Sequence, residues 1–536
     1  MLVKFDEDKI DMVFAELDQC HLPGAAVGIA IGGNPVYRKG FGLASMELPL
    51  MLSPRIRMRI YSTSKHFTCL AYMLLCEEGR AAIDDELGKY LTELHPVTHH
   101  VTMRQLMGNI GGLRDALEIN WAFGGIAPRV SSNDLLSLYR DITDVNFIPG
   151  TAWRYSNGGF LLLGAVIERI TGQSLEQVLW ERIFEPVGMN DTLLRRWDTE
   201  FVPNSATMHM TKPGGGFDRF YEGAALDGGG GIVSTVDDML RWLSHMNSPW
   251  IGSSATWELM RTPQTLANGT STGYGLGLFT SHYRGVEVLH HSGGGLGSNA
   301  QMLKVPAAGL DIVVMVNRHD VQGVLLANKI VDACLPDLDP AERGLLRPAV
   351  NGTFHSPTTG RVIRLQGPSE GSIDSALKQT VSIDGADLVF EHDAHMDNVL
   401  RPAAGAYFLK LIVTLIGDHQ KPTCLRLDDY GNMDELTPVR ASGKADVSRI
   451  ADRYRSNTVG AQCTISNTDD GPQLRAQGRF GSMTYDLEYL GEELWRAKPT
   501  PVSRSFIHGI LSFNKSGDQF RFVTHGTLSL LFRRCT

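Results

Sequence analysis

The 536-residue chain has no segment able to cross a membrane as a helix. Its most apolar runs, Phe160–Ile167 and Leu409–Ile416, are about eight residues long, against the ~20 a bilayer demands. A secretory leader is not expected from the opening residues: Met1-Leu2-Val3-Lys4-Phe5 gives way to Asp6, Glu7 and Asp8, where a signal peptide has an apolar run of ~7–15 residues. Cysteine is sparse, with seven residues at Cys20, Cys69, Cys76, Cys334, Cys424, Cys463 and Cys535, and no CxxC pair among them. That pattern suits reduced thiols in a cytoplasm better than a disulfide framework, so a cytoplasmic location with no membrane partner is the expectation. Positive charge is short as well. Lys plus Arg is 50 against 59 Asp plus Glu, a net −9, which argues against nucleic acid as a general partner because phosphate binding needs a cationic surface. What is present is ordinary globular material, 43% apolar and 20% charged, enough to offset chain entropy and exclude disorder.

At roughly 150 residues per domain the length predicts three or four domains. The part before about residue 330 mixes helices and strands. Gly24–Ile31 and Val36–Gly42 read as short strands around a Gly-Gly-Asn-Pro turn. A helix is predicted from Ser62 to Glu78, with Phe67, Leu70, Ala71, Leu74 and Leu75 on one stripe and Gly79 as a left-handed cap. Another runs from Gly158 to Thr171 and stops at Gly172. Ser174-Leu-Glu-Gln177 is a capping-box pattern for a further helix, expected to end before Pro186. Tyr274–Phe279 and Val286–His290 read as strands. Near Cys334 the composition shifts, and Leu335–Gly344 reads as a linker. Beyond it stand short β-rich runs at Arg361–Leu365, Asp387–Glu391, Tyr407–Ile416, Cys463–Ser466, Thr484–Leu490, Gly509–Phe513, Phe520–Val523 and Leu528–Phe532, with Gly, Asn and Asp turns between them. Such spacing predicts antiparallel barrels or sandwiches.

Three short motifs carry chemistry. In Tyr61-Ser62-Thr63-Ser64-Lys65, Ser62 and Lys65 share a helix face. A serine hydroxyl needs a base to become a nucleophile, and a lysine in a partly apolar cleft loses some preference for its charge and can take the proton. In Tyr155-Ser156-Asn157 the phenol can relay a proton and the amide can hold a polar group. In His291-Ser292-Gly293-Gly294 a histidine at a strand edge can orient substrate. Each motif alone is common: Ser375–Lys378, Ser512–Lys515 and Tyr430-Gly431-Asn432 repeat the spacings in the β-rich half.

Their order within the mixed α/β half resembles the penicillin-recognising serine hydrolases: class C β-lactamases, DD-peptidases and related esterases. The segments Thr102–Leu113, Ile183–Met189 and Gly230–Met239 are similar to recurrent stretches of that family. Ile450–Ser456 and Leu487–Trp495 resemble its D-aminopeptidase branch, which carries two β-barrels after the hydrolase domain. The resemblance implies a multidomain chain. An α/β β-lactamase/DD-peptidase-like domain, an antiparallel sheet flanked by helices, covers 1–335, and two antiparallel β-barrel domains follow over 336–443 and 444–536. It implies Ser62 as nucleophile, Lys65 as its activating lysine, Tyr155 in proton transfer with Asn157 as motif partner, and His291 where many relatives have lysine. The N–H groups of Ser62 and Gly294 would form the oxyanion hole, with Gly293 beside the substrate. The implied reaction is release of N-terminal D-amino acids from small peptides, amides or esters through an acyl-enzyme, with no cofactor, no metal and a homodimer as partner state.

Two departures leave alternatives open. Trp495–Phe513, matched to a loop that offers an acid to the substrate amine, contains no Asp or Glu, and Phe279 stands where a polar residue is expected. These favour an esterase, amidase or carboxylate-recognising peptidase of the same family. A third reading is a non-catalytic penicillin-binding-fold protein with the barrels as partner modules. His95, His99 and His100, and His392 with Asp393, His395 and Asp397, have metal-like spacing in loops and are not read as ligands. Gly228–Gly231 and Gly293–Gly297 lack a P-loop lysine and are read as close strand–substrate approaches.

Overall fold

A computed structural model describes residues 1–126, 129–212, 214–341, 344, 347–367, 378–403, 405–406, 408–440, 445–501 and 507–535. Six strands form the central antiparallel sheet: β1 (Ala25–Ile31), β2 (Asn34–Phe41), β3 (Phe279–Tyr283), β4 (Val286–Gly295), β5 (Ser298–Val305) and β6 (Leu310–Val316). Their spatial order is β3-β4-β5-β6-β1-β2, with Ala25 opposite Val316. The supporting helices are α1 (Glu7–Phe14), α2 (Lys65–Glu77), α3 (Ala116–Gly124), α4 (Asn157–Thr171), α5 (Val236–Asn247) and α6 (Gly323–Cys334).

The period-two pattern of β1 sorts its residues onto two cores. Ala25, Val27 and Ile29 join Phe14 of α1 and Ile330 of α6 on one face. Ala26 and Ala30 join Leu240 and Leu243 of α5 on the other, which holds most of the helices. Gly28 keeps α5 flat on the sheet, because a Cβ there would sit 2.5 Å from the Val236 Cγ1. Among the described residues no helix is long and apolar enough to cross a membrane.

The β-rich half forms two closed barrels of eight antiparallel strands each. The first closes where Phe354 pairs with Pro438, and the second where Tyr454 pairs with Arg534. Alternation drives both: along Gln462–Thr468, Cys463 and Ile465 are buried while Gln462, Thr464 and Ser466 are exposed. The barrels touch through Arg496, which donates to both oxygens of Asp387 at 2.9 Å, and through Arg364, which donates to Glu488 at 2.9 Å. The second barrel takes the C-terminal end of α3 into its mouth. The ring of Phe123 lies 5.3 Å from that of Phe522 and 5.5 Å from that of Phe532. Tyr485 donates to the Ala122 carbonyl at 2.7 Å, and the Gly478 N–H to that of Phe123 at 2.8 Å.

Four expectations need correction. Helical structure passes through Pro186 to Val187. A wider π turn over Trp180–Phe184 resets the register, so Pro186 sits in the first turn of a new segment, where its missing N–H costs nothing. Tyr274–Phe279 is not a strand: Gly277 takes φ +75°, and β3 begins only at Phe279. The strand expected over Tyr407–Ile416 is Leu411–Gly417; Phe408 and Leu409 instead face a cleft, and Tyr407 lies outside the described residues. Asp227–Gly230 is a short helix against α2 rather than a strand beside substrate.

Candidate active site

A short 3-10 turn over Tyr61–Ser64 leads into α2 and presents Ser62 at its start. Tyr61 is held in the left-handed region at φ +46°, a conformation a bulky residue keeps only when its surroundings enforce it. They do: its ring is buried and its hydroxyl donates to the Met208 sulfur at 2.9 Å. β4 runs directly beside this turn. A Cβ on Gly293 would lie 1.9 Å from the Ile60 carbonyl oxygen, so glycine is what permits the approach. Thr63 ties the two elements by donating from its hydroxyl to the His291 carbonyl at 3.2 Å.

Lys65 is fully buried. Its Nζ stands 3.1 Å from Ser62 Oγ, 2.8 Å from Asn157 Oδ1 and 2.6 Å from the Gly229 carbonyl. Removal from water is the main influence on it, pushing its pKa down to about 7. A neutral amine has two N–H groups and one lone pair. The two carbonyl oxygens take the N–H groups, and the lone pair is left facing the Ser62 hydroxyl. Tyr155 lines the same cleft as Ser62, and burial raises its pKa against a smaller opposing influence of Ser62, so its phenol keeps its proton. The Tyr155 ring centroid is 4.6 Å from Lys65 Nζ. The cluster therefore offers a nucleophile, a base that is partly neutral near pH 7, and a protonated acid.

His291 is buried and stays neutral, its pKa pushed well down by burial and then by the charge of Lys65. Its Nδ1 lies 2.6 Å from the Ser292 carbonyl, which can only accept, so Nδ1 carries the proton. Nε2 then accepts from the Tyr274 hydroxyl at 3.0 Å. Both ring nitrogens are thus engaged within the protein. Gly294 and Ser292 line the cleft beside Ser62, whereas Gly293 faces the Ile60–Ser62 backbone instead.

The cleft holds about 440 Å³ and is walled largely by rings: Trp121, Trp153, Phe279 and Phe408. Both barrels reach it, the first through Ala386, Phe408 and Leu409, the second through Ile507, His508 and the turn Thr524–Gly526. Of the stretch Trp495–Phe513, residues 502–506 lie outside the described residues, as does Ser375. Ser512 sits in a strand of the second barrel. Among the described residues no group of three or more His, Cys, Asp or Glu is placed to hold a metal.

Two acids of the cleft escaped the sequence reading. Asp115 fastens two helix starts with one carboxylate. Its Oδ1 accepts from Leu117 and Glu118 at the start of α3, and its Oδ2 from Asn157 and Gly158 at the start of α4. An Asp just ahead of an apolar helical run was the available signal. Glu118 projects from α3 into the cleft and accepts from the Gly526 N–H at 3.2 Å and from the Thr524 hydroxyl. Burial, then the nearby Asp115, pushes its pKa up to about 7. Nothing in the local sequence marks it, because its partners lie some four hundred residues away.

A serine beside a buried lysine and a tyrosine, set where an antiparallel sheet meets a helical half, is the arrangement of a serine hydrolase. The chain belongs to the beta-lactamase family, whose sequence profile matches residues 10–333. It is similar to D-aminopeptidases: that of Brucella melitensis biotype 2 is 28% identical over 499 residues, covering 90% of this chain and 88% of the relative. The D-aminopeptidase of Cereibacter sphaeroides is 26% identical over 476 residues, covering 88% and 87%. The octameric penicillin-binding protein homologue from Pyrococcus abyssi shares the fold across 99% of this chain and 100% of its own, with TM-score 0.57 and 19% identity.

Proposed function

We propose that the chain is a serine aminopeptidase that releases N-terminal D-amino acids from small peptides, amides or esters, with a catalytic unit over 1–335 and barrel units over 336–443 and 444–536. The observation that carries this is the buried Lys65 amine 3.1 Å from Ser62 Oγ, in a cleft that also holds Glu118. Ser62 attacks the scissile carbonyl and gives its proton to neutral Lys65. The tetrahedral oxyanion rests on the N–H groups of Ser62 and Gly294, a donor pair whose single members are typically worth ~10²–10³ in rate. Tyr155 then protonates the departing nitrogen and is reprotonated by the Lys65 ammonium beside it, leaving an acyl ester on Ser62, which water hydrolyses by the reverse proton path. Asn157 holds Lys65, and neutral His291 holds Tyr274 and the cleft wall without adding charge.

Glu118 supplies the acid that Trp495–Phe513 lacks, and this supports recognition of a substrate ammonium over a substrate carboxylate. The preference for D-residues rests on the D-aminopeptidase relatives. The test is hydrolysis of D-alanine p-nitroanilide beside its L-isomer and its N-acetyl form, with Ser62→Ala as control. Turnover of the free D-compound alone, lost in Ser62→Ala, is expected. Equal turnover of the acetylated compound, or an unchanged rate in Ser62→Ala, would sink the reading.

A further inference from the structure

The chain just ahead of Tyr155 is held from outside the hydrolase unit. Thr151, Trp153 and Arg154 meet one hairpin turn of the first barrel, Asp429–Asn432, which joins the strands Pro422–Asp429 and Asn432–Pro438. The Thr151 carbonyl accepts from Asn432 Nδ2 at 3.2 Å. The Trp153 ring stacks on that of Tyr430, with centroids 4.8 Å apart and planes 23° off parallel. Arg154 donates from Nη2 to Asp429 Oδ2 at 2.8 Å, and both side chains are largely buried.

The turn is itself braced within the barrel. Asp429 Oδ2 accepts a second guanidinium, Arg361 Nη1, at 2.6 Å, and Arg361 Nε donates to Asp384 at 2.9 Å. Tyr430 and Gly431 take φ +54° and +78°, the tight geometry of a two-residue hairpin. The barrel thus presents an acid and a ring on consecutive residues, and the hydrolase unit presents the matching ring and guanidinium on consecutive residues. The residue that follows them is Tyr155. The Arg154 N–H donates to the Asn109 carbonyl at 3.0 Å, so the backbone of this segment is fixed on its other side by the hydrolase unit.

We propose that the turn Asp429–Asn432 is a positioning element for Tyr155, with Asp429 acting through Arg154 and Tyr430 acting through Trp153. This rests on the reading of Tyr155 as the proton donor to the departing nitrogen. A phenol must lie within hydrogen-bond reach of both Ser62 and the leaving atom, and a misplacement of about 1 Å costs on the order of 10²-fold in rate. A buried guanidinium left without its carboxylate seeks water and takes its neighbours with it. The first barrel is therefore part of the proton-delivery apparatus.

The test compares two substrates of one D-amino acid. The p-nitroanilide needs a proton on its leaving nitrogen, while the p-nitrophenyl ester expels a stable phenolate without one. Asp429→Asn is expected to lower kcat/KM, which reports acylation, about 10–100-fold on the anilide, with kcat/KM on the ester within about 3-fold. Added to Tyr155→Phe, it should slow the anilide no further. If Asp429→Asn does not fold, Tyr430→Asn replaces it: asparagine tolerates the positive φ and removes only the stacked ring. Equal losses on anilide and ester, no loss on either, or a full further loss in the Tyr155→Phe background would overturn the proposal. An unchanged anilide rate in Tyr155→Phe itself would instead remove the reading on which it rests.

Discussion

Replacing Glu118 by Gln removes one negative charge from the cleft while keeping the shape. The glutamine carbonyl still accepts from Gly526 and Thr524, so the turn of the second barrel stays in place. What is lost is the charge-assisted pairing with the substrate ammonium. Such pairings contribute about 1.5–3 kcal/mol, and a partly solvated cleft sets the figure near 2 kcal/mol, or ~30-fold in kcat/KM. The loss falls on D-alanine p-nitroanilide and spares its N-acetyl form, which has no ammonium. The pH dependence has a defined sign. The Glu118 pKa stands at about 7, so the carboxylate forms as pH rises, and selectivity for the free amine should grow through pH 7 in the wild type and stay flat in Glu118→Gln. The same substitution should stabilise the protein in alkali. In the unfolded chain the carboxyl ionises near 4.5, so its folded-state penalty appears as pH rises from there through about 7. Melting temperatures at pH 5 and pH 8 read this directly, with the variant's advantage much larger at pH 8 than at pH 5. Equal losses on acetylated and free substrates, or none on either, would refute the assignment of Glu118 to the amine.

Three further outcomes follow from the same geometry. With Lys65 at about 7, kcat at saturating substrate should fall as pH drops below 7, approaching tenfold per unit; a flat profile to pH 5 would rule the lysine out as base. Asp115→Ala removes the cap of α3 and the acceptor of the first two N–H groups of α4, at ~1 kcal/mol for each helix start, so chemical denaturation should show a loss of about 2 kcal/mol. Phe123→Ala empties the mouth of the second barrel and should cost about 3–5 kcal/mol, with the barrel melting apart from the rest in calorimetry; a single unshifted transition would contradict the plug.

Much of this was legible from residue pattern. Ser62, Lys65, Tyr155 and Asn157 lie in short motifs at element starts, where local capping and helix periodicity fix their direction, and the structure brings them together as the motifs imply. The alternating runs of the β-rich half foretold the barrels, though short strands such as Gly352–His355 and Val399–Pro402 carry too little pattern to be seen. What stayed hidden is long-range. Glu118 belongs to the cleft because a turn from the far end of the chain folds over it. Tyr430-Gly431-Asn432 looks like a chance Tyr-x-Asn, and its meaning appears only once Trp153 is placed against it. Pro186 misled because a π turn is not written in composition.

The plugging of the second barrel by Phe123 has a consequence for synthesis. Glu118 and the Gly526 N–H that holds it are 408 positions apart, and at ~5–20 residues per second a ribosome takes on the order of 20–80 s between them. Through that interval Ser62 and Lys65 exist, but the roof over them does not, and Trp121 and Phe123 have nowhere to dock. The strand Leu530–Arg534 must emerge before the barrel can close. Until then the cleft lacks the wall that Ile507, His508 and the Thr524–Gly526 turn supply, and the substrate face of the site is shaped last.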